Sequence, residues 1–336
     1  MTIEFFNETP YPAFGFETEL YDRSEFFCLA AKLSFDLAAN GVKLREEQDP
    51  LQMGDRYVGE PGASSLMAAT DLIPIRKRTD ILLTGQARAP DATAVERWLA
   101  EMKVGSLYKA VQLTAPRVWR HRALGGWQLS PLKPVMSVPL QYELAFGGER
   151  PAADDEERDA WLPNPVGRGY VGRRRWETDR EWPAPQLLAP RDSLKDQPGR
   201  EHATCGFGPI PGDWAPRVGR IGTTDAAWRR DVAPHLPSDF DLRFFNCAPD
   251  DQQADGFLQG NEEVVLSGLL DKLYAFHLPY WRATALMVDH DDLVLSLDMD
   301  LSTVQIDLDR RVLSLVWRLT TPANRWKQAS LSLIPR

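Results

Sequence analysis

Residues Leu293–Leu319 read LVLSLDMDLSTVQIDLDRRVLSLVWRL. Leu293, Leu295, Leu297, Met299 and Leu301 fall on one side of an alternation whose other side carries Ser296, Asp298, Asp300 and Ser302. Val304, Ile306 and Leu308 then alternate in the opposite phase. After the charged turn Asp309-Arg310, Leu313, Leu315, Trp317 and Leu319 alternate again. A period of two sends successive side chains to opposite faces of an extended chain. One apolar and one polar face is the signature of strands lying on a core, and it predicts three strands of an antiparallel sheet.

The same pattern recurs upstream. Glu25–Leu37 (EFFCLAAKLSFDL) reads as a half-buried strand, with a turn at Gly41-Val42 and a second strand starting there. Leu72–Ala89 reads as a strand pair or one bent strand. Val95–Val104 fits a helix face (Val95, Trp98, Leu99, Met102) and a strand face (Trp98, Ala100, Met102, Val104) equally well. Gly105-Ser106 before a second apolar run favours a hairpin. Val118-Trp119 and Trp127–Leu129 flank a Gly-Gly turn, and Pro139–Gly148 (PLQYELAFGG) reads as a strand ending at a double glycine. Asp239–Leu269 (DFDLRFFNCAPDDQQADGFLQGNEEVVLSGL) reads as strand, turn, strand.

Residues 149–237 differ: they are dense in Pro, Gly, Trp and Arg and show little periodicity, apart from a short helix expected at Ala226–Val232. A long structureless loop is unusual inside a compact domain, so this middle is expected to be an ordered, irregular wrap. The fold expected is mainly β: antiparallel sheets, sandwich-like or barrel-like, with a long irregular Pro/Gly/Trp-rich middle and few short helices, all in one domain spanning 1–336.

Composition narrows the function. The chain has 39 Lys and Arg against 48 Asp and Glu, a net charge of −9, which argues against a nucleic-acid or anionic-membrane surface. Its 43% hydrophobic content is ample for a core. Cys28, Cys205 and Cys247 are widely spaced beside small or apolar neighbours, as reduced thiols of a cytoplasmic protein would be. The start, MTIEFFNETP, lacks the pattern of a signal peptide, and no run nears the ~18 apolar residues of a membrane span.

No catalytic motif stands out. His121, His202, His235, His277 and His290 have no metal-ligand spacing, and no G-x-S-x-G elbow occurs. The glycine pairs at Gly167-x-Gly169 and Gly206-x-Gly208 do not join a strand to a clear helix, as a phosphate cradle requires. No metal, cofactor or catalytic residue is therefore expected. Arg173, Arg174 and Arg175 lie among Trp161, Tyr170, Trp176 and Trp182. Such interleaving anchors loops by Arg–aromatic stacking or forms a protein-binding hot spot, and these seven residues are the candidate partner-binding set.

Several segments taken in order carry a resemblance. Tyr142-Glu143-x-Ala145-Phe146-Gly147-Gly148 precedes Asn164-Pro165-Val166-Gly167-x-Gly169-Tyr170. Gly206-Phe207-Gly208-Pro209 and Trp214 follow. Then come Phe244-Phe245-Asn246-x-Ala248-Pro249-x-Asp251-Gln252 and Leu258-x-Gly260-x-Glu262. From about Phe26 to Trp317 this set resembles a bacterial family first catalogued as a domain of unknown function, whose members are encoded beside type VI secretion genes and serve as effector adaptors or chaperones. The resemblance implies a non-catalytic cytoplasmic protein that binds a toxin effector and helps load it onto the VgrG spike. The motif residues Tyr142, Glu143, Phe146, Gly147, Gly148, Asn164, Pro165, Gly167, Phe244, Asn246, Pro249, Gln252, Gly260 and Glu262 then have architectural roles, with Asn246 and Glu262 as hydrogen-bonders in a loop. The rival readings are a hydrolase with a carboxylate pair assembled in space, and a carbohydrate-binding β module with a row of exposed Trp.

Overall fold

A computed structural model describes residues 3–20, 23–150, 159–172 and 181–336. The chain is mainly β, in several antiparallel sheets with almost no helix and no closed barrel. The six-stranded sheet runs in the order Ala13–Glu19, Glu25–Ala38, Val312–Pro322, Asp300–Asp307, Asp80–Thr84, with Gly41–Leu44 also paired to Glu25–Ala38. Its last pairing, Asp300–Asp307 with Asp80–Thr84, is parallel. A five-stranded sheet joins Leu187–Leu188, Leu107–Thr114, Arg97–Val104, Glu263–Ser267 and Tyr274–His277. A four-stranded sheet joins Glu4–Phe6, Trp326–Pro335, Trp281–Asp289 and Val294–Asp298.

All three sheets turn an apolar face to one contiguous core. The six-stranded sheet contributes Phe27, Leu29, Leu33, Leu315, Trp317, Ile306 and Ile81. The five-stranded sheet contributes Trp98, Ala100, Met102, Val104, Val264 and Tyr274; the four-stranded sheet, Ala285, Met287, Leu331 and Leu333. Arg97–Val104 is a strand whose alternate residues are buried, so the two-fold reading of that ambiguous stretch is the right one. Gly105, at φ +57°, makes the tight turn to Leu107–Thr114 that a side chain at that position would strain.

The phase change in Leu293–Leu319 has a structural cause. Leu301 pairs with Trp317 and Thr303 with Val316, so Ser302 is an extra residue, a bulge. Its hydroxyl donates to the Val316 carbonyl at 3.0 Å. One expectation fails here. The three strands do not share a sheet: Val294–Asp298 pairs with Trp281–Asp289, while Asp300–Asp307 and Val312–Pro322 belong to the six-stranded sheet. The chain crosses between sheets at Asp298-Met299-Asp300, where the Met299 amide donates to the Ala283 carbonyl at 2.9 Å.

Two other expected strands are 3-10 turns. Tyr142–Leu144 and Leu242–Phe245 alternate in hydrophobicity but close i to i+3 bonds. In the second, the Asp241 carboxylate accepts from the Arg243 amide at 2.9 Å. Such a local side-chain bond competes with a sheet ladder. The rings of Phe240, Phe244 and Phe245 then pack on one another, with centroids 5.4–5.8 Å apart. Among its described residues the middle is irregular as expected, with two-residue strands and one α-helix, Ala226–Asp231, whose N-cap Asp225 accepts from the Trp228 amide at 2.8 Å. No described helix is long and apolar enough to cross a membrane.

Candidate functional site

Asp80 organises the motif that begins at Phe244. It opens a strand of the six-stranded sheet and is fully buried. One carboxylate oxygen accepts from the Asn246 amide nitrogen at 2.8 Å. The other accepts from the backbone N–H groups of Cys247 (2.7 Å) and Ala248 (3.2 Å) and pairs with Arg76 at 2.8 Å. Asn246, also fully buried, donates in addition to the Arg78 carbonyl at 3.0 Å. Farther along, buried Gln252 donates to the carbonyls of Ile81 (2.7 Å) and Phe207 (2.9 Å). Pro249 leads into the 3-10 turn that positions Gln252, whose amide donates back to the Pro249 carbonyl at 2.8 Å. The loop is thereby stitched to the strand by polar bonds in a low-dielectric interior, where each is hard to lose.

Glu262 is half-buried and accepts from the Gln259 amide at 2.8 Å, closing the turn around Gly260. Gly260 sits at φ +89°, and a Cβ there would lie 2.9 Å from the Pro279 carbonyl oxygen. Phe244 lies under the guanidinium of Arg217, 4.9 Å from its ring centroid. Removing a partner from such a network leaves a buried polar group unsatisfied, at ~1–3 kcal/mol. Asn246→Ala and Glu262→Ala are each expected to lower the melting temperature, Asn246→Ala more because Asn246 is fully buried; a thermal scan measures it.

A second knot gathers the motif residues around Tyr142. Asn164, fully buried, donates to the carbonyls of Tyr142 (2.7 Å) and Phe146 (3.2 Å), and its own carbonyl accepts from Gly148 (2.9 Å). Gly147 and Gly167 let these backbones touch: a Cβ on Gly147 would lie 2.1 Å from the Asn164 carbonyl oxygen, and one on Gly167 2.4 Å from its side-chain nitrogen. The Tyr142 hydroxyl donates to the Gly208 carbonyl at 3.1 Å, and its ring meets Trp214 edge-on at 5.7 Å. Glu143 accepts from the amide (2.8 Å) and hydroxyl (2.7 Å) of Ser65, while Arg168 donates to the Glu143 carbonyl at 2.7 Å. Pro165 lies in the tight segment between Asn164 and Gly167.

Of the candidate partner-binding set, Trp161, Tyr170 and Trp182 are half-buried. Trp161 donates to the Thr204 hydroxyl at 2.9 Å and packs against Phe146 and Tyr170. Tyr170 donates to Asp159 at 2.9 Å. Trp182 packs in a separate small cluster with Trp119, Leu129 and Ala184. Arg173, Arg174, Arg175 and Trp176 lie outside the described residues. Beside the knot, two adjoining cavities of about 240 and 280 Å³ share Arg56, Gln305, Asp307 and Arg310 and make a groove along the polar face of the six-stranded sheet; Tyr142 and Gly208 line one end.

A profile of uncharacterized proteins conserved in bacteria, DUF2169, matches residues 22–318. The chain belongs to this family. No curated protein and no solved structure matches it. In this DUF2169 chain most polar atoms of the motif residues meet the protein's own backbone.

Reactive groups are few among the described residues of this DUF2169 chain. His202 bonds to Asp192 at 2.6 Å, the arrangement of a base and its orienting carboxylate. The nearby Cys205 thiol, however, is pushed up to about 11 by burial, and Cys247 likewise. A nucleophilic thiol needs the opposite shift. Asp307, Asp309 and Asp49 in the groove accept from backbone amides or pair with Arg310. Among the described residues no three His, Cys, Asp or Glu side chains are grouped to hold a metal ion. Sequence reading missed Asp80 and Arg76; the available signal was one acidic residue abutting the apolar run Ile81-Leu82-Leu83.

Proposed function

We propose that this protein is a non-catalytic adaptor or chaperone that binds a type VI secretion toxin effector in the cytoplasm and helps place it on the VgrG spike. The observation that carries this reading is where the motif side chains go. Asn164, Asn246 and Gln252 direct their amides to backbone carbonyls or to Asp80, and Glu143 and Glu262 accept from neighbouring amides. A chain whose motif residues build scaffold rather than a reaction centre fits a role in presenting a surface. The groove along the six-stranded sheet and the irregular wrap between 149 and 237 are surfaces such a partner would use. A stable complex would bury roughly 800 Å² on each side.

The test is co-expression with the effector and VgrG encoded nearest to the gene. The expected result is a complex that survives size-exclusion chromatography, with the effector less soluble when expressed alone. A ligand that binds only the folded state also raises the adaptor's melting temperature by mass action. Changing Arg173, Arg174 and Arg175 together to Ala is expected to weaken capture without lowering that temperature in the unbound protein. Cleavage of peptidoglycan or a glycan by the purified protein alone would overturn the reading.

A further inference from the structure

The polar face of the six-stranded sheet holds a buried charge imbalance. Lys32, Arg76 and Arg318 are buried there, and among the described residues two buried carboxylates, Asp71 and Asp80, accompany them. Lys32 pairs with Asp71 at 3.1 Å and Arg76 with Asp80 at 2.8 Å. Arg318 meets neutral acceptors instead, the Ser302 hydroxyl (2.6 Å) and the Asp71 carbonyl. On each arginine the Nε is buried, and among the described residues neither Nε has an acceptor. A buried, unpaired donor on a charged group is costly and calls for an explanation. Burial, with Arg76 beside it, pushes the Arg318 guanidinium down to about 9.

Both arginines line one cavity of about 220 Å³, together with Ile75, Phe257, Leu319 and the buried Ser302. That is below the roughly 300–1,000 Å³ of sites for drug-sized ligands, so it suits a group of a few atoms. Its walls combine two guanidinium groups with aliphatic and aromatic side chains. Lys77 and Asp300, both exposed, also line it, and Asp300 opposes an anion there.

We infer that this cavity binds a carboxylate carried on a short apolar stem, its two oxygens accepting the free Nε–H of Arg76 and of Arg318 while the stem packs on Ile75, Phe257 and Leu319. A single negative charge balances the third cation, and guanidinium–carboxylate bonds are among the strong ones in proteins. The same chemistry comes from a free branched-chain acid or from the C-terminal residue of a polypeptide. The site stands whether or not the protein is an adaptor.

The experiment is isothermal titration at fixed ionic strength with 3-methylbutanoate, its neutral amide, and a tripeptide ending in leucine with a free or an amidated C-terminus. The expected result is one saturable site per chain for at least one carboxylate, with the matching amide about tenfold weaker or more. Binding of the free acid alone assigns a small metabolite; binding of the free-ended peptide assigns a chain terminus. Arg318→Met is expected to abolish binding. Because that variant alters a buried group, Asp300→Asn serves as the second: removing an exposed opposing charge is expected to tighten binding about two- to fivefold. Equal binding of acids and amides, or no binding by any carboxylate, overturns the inference.

Discussion

Asp80→Ala is expected to cost ~3–5 kcal/mol, the largest loss of any single substitution outside the apolar core. The change removes the carboxylate paired with buried Arg76, the acceptor for two backbone N–H groups at Cys247 and Ala248, and one partner of Asn246. Domains are stable by only about 5–15 kcal/mol, so the variant should be marginal. The urea midpoint measures it. Removing both charges is expected to be gentler than removing one, because the cost lies in the uncompensated cation. Asp80→Ala combined with Arg76→Met should therefore regain part of the loss, and a midpoint for Asp80→Ala close to wild type would show that the network carries little.

Gly147→Ala is expected to rank next. Its Cβ would lie 2.1 Å from the Asn164 carbonyl oxygen and 2.8 Å from the Asn164 Cβ, contacts that only backbone movement can relieve. Moving Asn164 breaks its bonds to Tyr142 and Phe146, so overpacking and unsatisfied carbonyls add. Overpacking alone typically costs 1–3 kcal/mol, and the expected total is about 3 kcal/mol or more. Gly54→Ala is the control: nothing lies within 4 Å of its Cβ position, and its melting temperature should stay near wild type.

The fold class was legible because the long strands alternate cleanly. Val312–Pro322 and the phase change at Ser302 could be read from side-chain period alone, while Arg97–Val104 fitted helix and strand alike until the Gly105-Ser106 turn after it was weighed. The period failed at Tyr142–Leu144 and Leu242–Phe245, where a short alternation suits a 3-10 turn as well as a strand and a capping Asp241 decides between them. Sheet membership of Val294–Asp298 was invisible for a related reason. Strands of two sheets facing the same core share one alternation, and only the crossing at Met299 separates them. The motif residues were legible as a set, but their reason was not. Asp80 meets Asn246 across 166 residues of chain, and Asn164 meets Tyr142 across 22, distances over which no local pattern carries information.

The central claim is that the buried amide side chains of the family motifs, Asn164, Asn246 and Gln252, hold the fold and do not touch a partner. It is tested most directly by measuring Asn246→Ala twice, for unfolding free energy and for effector affinity at a temperature where the variant is fully folded. The account predicts a loss of ~1–3 kcal/mol in stability with the dissociation constant unchanged. A variant that melts like wild type but no longer binds the effector would contradict it.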